Sequence, residues 1–111
     1  MSKDEKRPDY RKTKKYKNLR ESMLKSLELR SLDDKVYIDK VEEYMDLWCV
    51  FQMAKADVNA NGVFLVDARG RRARNDSASL VNQVSRQMLS IFNALGFKPD
   101  EYGGAYDDDD L

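Results

Sequence analysis

Histidine is absent from this chain of 111 residues, and Cys49 is its single cysteine. The missing histidines exclude Ser-His and Cys-His nucleophile systems, histidine general bases and zinc sites that use histidine. The lone cysteine excludes a disulfide within the chain and favours a reducing compartment. Because no apolar run approaches the roughly 20 residues of a membrane helix, we expect a cytoplasmic protein without a membrane-spanning segment.

Catalytic signatures are missing as well. No Gly-x-x-x-x-Gly-Lys-Ser/Thr phosphate loop occurs in the sequence, and no motif groups the carboxylates into a two-metal nuclease site. The four aspartates at 107–110 are weak ligands for a hard cation, and a flexible acidic peptide is the favoured interpretation. We therefore expect no enzymatic activity, no cofactor and no metal.

Charge is strongly segregated along the chain, although the formal net charge is zero. Residues 1–20 carry nine basic and three acidic side chains, whereas residues 98–111 carry one basic and six acidic side chains. Blocks of like charge repel themselves and usually fold only on a partner. The sequence therefore predicts a basic flexible arm at residues 1–15, a helical core at 16–97 and an acidic flexible tail at 98–111.

The basic arm has tyrosines, Tyr10 and Tyr16, interleaved with its lysines and arginines. Lysine and arginine neutralise backbone phosphates, and tyrosine rings stack on bases, so DNA contact is one interpretation. A solvated terminus that aids solubility is the other. The candidate phosphate contacts in this segment are Lys3, Lys6, Arg7, Arg11, Lys12, Lys14, Lys15, Lys17 and Arg20.

The core has the 3.6-residue apolar periodicity of helices. The first helix is predicted at residues 16–30. Ser31 is predicted to N-cap the second helix, in a capping box with Asp34. That second helix is predicted at residues 33–60, followed by the helix-stopping Asn61-Gly62 pair.

A broad apolar stripe on the second helix exceeds what one partner helix is expected to cover. A third helix is predicted at residues 77–95, with N-cap candidates at 75–77, and Gly96 and Pro99 after it. We therefore expect the two long helices to form an antiparallel hairpin that self-assembles. The predicted oligomer contacts are Val41, Tyr44, Met45, Trp48, Phe51, Val84, Met88, Ile91, Phe92 and Leu95.

The connection between the long helices contains a β-prone run, residues 63–66, and a turn at 67–70. Residues 71–74 are predicted to return as a second short strand. Four guanidinium groups fall within this connection, and arginine favours bidentate contact with phosphate or carboxylate. Pairing with acidic residues of the core is the alternative. The candidate DNA contacts here are Arg69, Arg71, Arg72 and Arg74.

The order of these features is itself informative. The aromatic-rich helix is followed by Asn61-Gly62, the arginine-rich connection, Asn75-Asp76 and the run Leu95-Gly96-Phe97-Lys98-Pro99. In this order the chain resembles the small terminase subunits of tailed bacteriophages and prophages, over about residues 16–102. It is most similar to the short branch whose last helix ends in Leu-Gly-x-x-Pro. Members often have Asn-Pro at the position of Asn75-Asp76, and an arginine where this chain has Tyr102, so no role of that arginine carries over.

The resemblance implies a non-enzymatic packaging factor that forms a homo-oligomeric ring, built on a short N-terminal helix and the helical hairpin. Such a factor binds double-stranded viral DNA and presents it to the large terminase subunit, the ATPase and nuclease, in the host bacterial cytoplasm. The acidic tail is then expected to dock the large subunit. Two alternatives are a small helical transcriptional regulator, with a helix-turn-helix through Ser31-Leu32, and a helical adaptor without a DNA role.

Overall fold

A computed structural model describes residues 9–97 of the chain. These residues form helices α1 (Lys14–Leu29), α2 (Lys35–Asn61) and α3 (Asp76–Ala94), with strands β1 (Phe64–Val66) and β2 (Arg72–Arg74) between α2 and α3. The mainly helical fold with a small β-hairpin at the connection is thereby confirmed. None of the helices in the described residues has the length and apolarity that a bilayer crossing demands.

The chain divides into two compact units, residues 1–45 and 46–111, and α2 runs from the first into the second. The first unit begins, within the described residues, with a 3₁₀ turn at Tyr10–Lys12. Thr13 then caps α1, since its hydroxyl oxygen accepts a hydrogen bond from the backbone N–H of Tyr16 at 3.2 Å. Regular structure therefore extends into residues 9–15 of the predicted arm, whereas residues 1–8 lie outside the described residues.

The end of α1 is a Schellman motif, in which the residue after the C-cap adopts a left-handed conformation. Ser31 is that residue, with φ of 59°. Its backbone N–H donates to the Glu28 carbonyl at 3.0 Å, and that of Leu32 donates to the Leu27 carbonyl at 2.8 Å. The predicted capping box is therefore wrong, because Ser31 terminates α1 instead of starting α2, which begins at Lys35.

The core of the first unit consists of apolar side chains from α1 and from the first half of α2. Met23 and Leu27 of α1 are fully buried, as are Val41, Tyr44 and Met45 of α2. Their spacing is the helical periodicity expected from the sequence.

The second unit contains the chain reversal between α2 and α3. α2 ends at Asn61, and Gly62 adopts a φ of 87°, a conformation that costs a glycine little. Phe64, Leu65 and Val66 pair antiparallel with Arg74, Ala73 and Arg72, respectively. The predicted stop, strands and turn are therefore present in the expected order.

Asn75 stabilises the chain reversal between α2 and α3. Its side-chain amide donates to the carbonyl oxygen of Gly62 at 2.9 Å and to a carboxylate oxygen of Asp57 at 3.1 Å. Its side-chain oxygen accepts from the backbone N–H of Ser77 at 3.0 Å, so Asn75 is also the N-cap of α3. It is 4% exposed. One buried amide thus joins the end of α2 to the start of α3.

A second Schellman motif ends α3. Gly96 has φ of 77°, and the backbone N–H of Phe97 donates to the Phe92 carbonyl at 3.2 Å. The rings of Phe92 and Phe97 meet edge to face at 5.4 Å between centroids, the apolar contact that often accompanies this motif. The predicted glycine stop is therefore correct, and Phe97 is part of the buried core.

Candidate nucleic-acid interface

The β-hairpin presents two unlike faces, which follow from its register. Opposed residues on antiparallel strands share a face, so the pairs Phe64–Arg74 and Val66–Arg72 lie on one side and Leu65–Ala73 on the other. All residues of both strands are exposed. An isolated two-stranded hairpin is only marginally stable in water, so the hydrogen bonds at its ends contribute to its stability. At its base, the backbone N–H of Asn75 donates to the Val63 carbonyl at 2.7 Å.

We call residues 63–74 the arginine hairpin, after its four arginines. The guanidinium carbon of Arg72 lies 4.5 Å from the centroid of the Phe64 ring, a cation–π contact that holds the group over the strand. Arg74 donates from Nε to the hydroxyl of Ser79 at 3.0 Å. Both guanidinium groups are thus held in place on an exposed surface.

The turn of the arginine hairpin is organised by Asp67. One carboxylate oxygen accepts from the backbone N–H groups of Arg69 at 2.8 Å and Arg71 at 2.9 Å. The other lies 3.1 Å from Nε of Arg71. The backbone N–H of Arg71 contributes most to lowering the pKa of Asp67, with further contributions from the Arg69 N–H and the Arg71 guanidinium.

Among the described residues, Arg71 is the member of the arginine hairpin that has a carboxylate partner, and its side chain remains 72% exposed. Arg69, Arg72 and Arg74 make no ion pair there. The alternative interpretation is that acidic core residues neutralise the cluster. Within residues 9–97, this holds for Arg71 alone. A largely uncompensated positive surface remains.

The N-terminal candidates divide into three groups. Lys3, Lys6 and Arg7 lie outside the described residues. Five others are exposed in the first unit, and we call them the N-terminal basic surface: Arg11, Lys12, Lys14, Lys15 and Lys17. Three of these lysines occupy the first turn of α1, which contains no acidic residue. Positive charge at a helix N-terminus opposes the helix dipole, so a bound anion would relieve it.

Arg20 differs from its neighbours. Its Nε lies 3.0 and 3.1 Å from the two carboxylate oxygens of Glu42, and its Nη2 also contacts that carboxylate. This hydrogen bonding raises the pKa of Arg20 and lowers that of Glu42. Arg20 thus links α1 to α2 within the first unit, and its guanidinium is already engaged.

The predicted oligomer contacts are mostly buried within the single chain. Tyr44 and Phe92 are fully buried and Trp48 is 4% exposed, whereas Phe51 is half-buried. The remaining members are also buried: Val41, Met45, Val84, Met88, Ile91 and Leu95. The exposed apolar side chains of the long helices are different ones, among them Val50 and Met53 of α2.

Two residues of the interface were not anticipated from the sequence. Phe64 and Ser79 hold arginine side chains. Alternation along the β-prone run places Phe64 and Val66 on one face, but the register is needed to place the arginines beside them. Within residues 9–97, no cluster of potential metal ligands is present.

The sequence over residues 13–103 matches the family model described as phage terminase, small subunit. The chain belongs to this family. The resemblance inferred from the order of its helices, arginine-rich connection and Leu-Gly-x-x-Pro ending is thereby confirmed. Searches of curated proteins and of solved structures gave no match. In this terminase small subunit the arginine hairpin lies within the matched region, as does the N-terminal basic surface from Lys14 onward.

Proposed function

We propose that this terminase small subunit binds double-stranded viral DNA and presents it to the large terminase subunit during genome packaging. The observation that carries the proposal is the arginine hairpin, an exposed two-stranded ribbon in which three guanidinium groups have no carboxylate partner among the described residues. A two-stranded ribbon fits the major groove of DNA, and arginine contacts phosphate or base edges bidentately. The family membership supports the packaging role.

The contribution of this chain is recognition and positioning without catalysis. Arginine contacts to phosphate release counterions, which makes affinity depend steeply on salt. The cation–π contact between Arg72 and Phe64 reduces the side-chain freedom lost on binding. The N-terminal basic surface supplies further phosphate contacts. The large subunit supplies ATP hydrolysis and DNA cleavage.

DNA binding is tested by replacing Arg69, Arg72 and Arg74 together with alanine. The slope of log K against log salt falls by about 0.9 for each phosphate that is no longer neutralised, so a decrease of about 2–3 is expected. Fluorescence anisotropy across a salt series measures it. The matched control replaces three exposed basic residues elsewhere: Lys25, Lys35 and Arg86. If control and hairpin variants show equal decreases in DNA affinity and slope, the hairpin is not the DNA-binding site.

The N-terminal basic surface needs substitutions instead of a deletion. Because Tyr16 is buried and α1 begins at Lys14, a deletion through residue 17 removes part of the fold. Replacing Lys14, Lys15 and Lys17 with glutamine removes their charge and keeps the helix. A smaller slope with unchanged far-UV circular dichroism assigns DNA contact to this surface, and an unchanged slope excludes these three lysines as phosphate contacts.

The proposal includes assembly into a homo-oligomeric ring, in which each subunit adds its weak DNA contacts to the others. An exposed apolar pair on α2, Val50 and Met53, supports self-association. They lie three residues apart on one helix face and are 37% and 49% exposed. Light scattering after size exclusion is expected to give a multimer that Met53→Glu reduces. A 12.9 kDa monomer at micromolar concentration would contradict assembly.

The acidic tail, residues 98–111, is our candidate contact with the large subunit and lies outside the described residues. Its six carboxylates and two tyrosines are suited to a basic, apolar docking surface. A chain truncated after Pro99 is expected to lose co-purification with the large subunit while keeping its secondary structure. Normal co-purification of the truncated chain would assign the contact to the helices instead.

A transcriptional regulator and a DNA-free adaptor are less well supported. The family membership favours packaging over both. α2, the second helix of the suggested helix-turn-helix, has 27 residues, far longer than a usual recognition helix. Preference for a short palindromic operator would favour the regulator. Absence of salt-sensitive DNA binding would favour the adaptor.

A further inference from the structure

A groove lies beside the base of the arginine hairpin, between the last turns of α2 and the first turns of α3. Its apolar lining comes from Val58, Val63, Ala78 and Val81, and its basic side chains are Lys55 and Arg74. The volume of about 250 Å³ is below the roughly 300–1,000 Å³ of small-molecule sites. The size and lining suit one aromatic side chain that is accompanied by acidic groups.

The arginine hairpin beside this groove carries an excess of positive charge. The arginine hairpin has four arginines and one aspartate, Asp67, a net charge of 4 − 1 = +3. Among the described residues, Asp67 is paired with Arg71, which leaves the other three guanidinium groups without a carboxylate. Val63, Phe64 and Leu65 are each more than 40% exposed on the same segment. Arginines beside apolar side chains favour an acidic peptide that also carries aromatic residues.

The chain itself contains such a peptide. Residues 100–111 include Tyr102, Tyr106 and the six carboxylates of Asp100, Glu101 and residues 107–110. This segment follows Phe97, at the far end of α3 from the hairpin. α3 has 19 residues and a length of about 28 Å at 1.5 Å per residue. Residues 98–107 span about 33 Å when extended, so the aspartates reach the arginine hairpin of the same chain.

We propose that residues 100–111 dock on the arginine hairpin and its groove, with a tyrosine ring in the groove and carboxylates on the guanidinium groups of Arg69, Arg72 and Arg74. The docked segment competes with DNA phosphate for the same arginines, and this consequence rests on the proposed DNA-binding function. An intramolecular segment on a short flexible linker has an effective concentration of at most about 1 mM. A contact with a dissociation constant of about 0.1 mM therefore lowers the DNA affinity of the hairpin by up to about tenfold.

Docking is tested first without DNA. The probe is a fluorescent peptide of residues 98–111, and the proteins are the full wild-type chain and a full chain in which Asp107, Asp108, Asp109 and Asp110 are asparagine. The variant, whose own tail is weakened, is expected to bind the peptide about tenfold more tightly than the wild type. Equal binding to both, or no binding up to about 1 mM peptide, overturns docking.

Two further substitutions locate the site. In the tail-neutralised chain, adding Arg72→Ala and Arg74→Ala is expected to weaken peptide binding at least about fivefold, since two charge-assisted hydrogen-bonding groups are removed. The control adds Lys25→Ala and Arg86→Ala, which remove the same charge from exposed helix positions. A peptide with Tyr102→Ser and Tyr106→Ser is expected to bind more weakly than the native peptide. If the arginine and control pairs have equal effects, the attraction is non-specific and the site is wrong.

Competition is tested with DNA by double substitution. Tail neutralisation is expected to raise DNA affinity about tenfold in the wild-type background and to have little effect once Arg69, Arg72 and Arg74 are alanine. The control neutralises Glu21, Glu28, Asp33 and Asp39, which are exposed in the first unit and give the same charge change.

The two proposals fail separately. Peptide binding with no change in DNA affinity supports docking and contradicts the assignment of DNA to the hairpin. Absent peptide binding, together with a hairpin-dependent salt slope, contradicts docking and leaves the DNA assignment standing. If DNA affinity rises equally in the tail and control variants, the tail acts only through the net charge of the protein. That result overturns competition.

Discussion

The side-chain amide of Asn75 donates to a carboxylate oxygen of Asp57 at 3.1 Å, from the N-cap of α3 to the penultimate turn of α2. The same amide donates to the Gly62 carbonyl at 2.9 Å. Because Asn75 is 4% exposed, water does not readily replace these partners. The base of the arginine hairpin is therefore fixed by one polar residue.

Replacing Asn75 with alanine removes the N-cap and the two amide donors together. We expect the free energy of unfolding to fall by about 2 kcal/mol, combining a cap with a buried hydrogen bond. Urea unfolding followed by circular dichroism measures the decrease. Asn82→Ala, at an exposed position of α3, is the control and is expected to change stability by less than about 0.5 kcal/mol. An equal effect of both variants would contradict a special role for Asn75.

Protonation of Asp57 is expected to decrease the stability of the protein in acid. Hydrogen bonds from Ser77, Asn75 and Asn61 lower the pKa of Asp57 below its ordinary value of 3.8. Its stabilising contribution is therefore complete above the unfolded-state pKa and is lost as the pH falls through the folded-state pKa. The urea midpoint of the native chain should fall more between about pH 7 and about pH 3 than that of Asp57→Asn. Parallel falls would exclude this carboxylate as a cause.

Trp48 is expected to be a major contributor to stability. It is 4% exposed and is the single tryptophan of the chain. Trp48→Ala should cost about 3–5 kcal/mol, whereas Phe64→Ala, at a half-exposed hairpin position, should cost far less. Native Trp48 fluorescence should be blue-shifted and weakly quenched by iodide. Red-shifted, readily quenched emission would be inconsistent with the burial.

Ser31→Gly is expected to stabilise the chain. Ser31 has φ of 59°, which strains a residue with a Cβ atom. Glycine removes that strain, so the free energy of unfolding should rise by about 0.5–1 kcal/mol. Ser22→Gly, inside α1, is the matched control and should destabilise by about 0.5 kcal/mol because glycine is a poor helix former. Decreased stability in both variants would contradict the strain at Ser31.

Local sequence signals predicted most of the fold. Apolar periodicity located the three helices to within two residues at each boundary, because one buried face imposes the 3.6-residue repeat. Gly62 and Gly96 marked the ends of α2 and α3, since glycine adopts positive φ without a Cβ clash. The same reasoning failed at Ser31, where a serine occupies the left-handed position and was interpreted as a cap for the following helix.

The sequence by itself determined the helices, the β-hairpin and the segregation of charge, because each depends on neighbouring residues or on composition. Tertiary structure decided which charges remain available. Arg20 is engaged by Glu42, 22 residues away, whereas Arg72 stacks on Phe64 through strand register. It also decided that Tyr44 and Trp48 are buried within one chain. Ion pairing and burial join residues distant in sequence, and the spacing of residues along a chain does not specify such contacts.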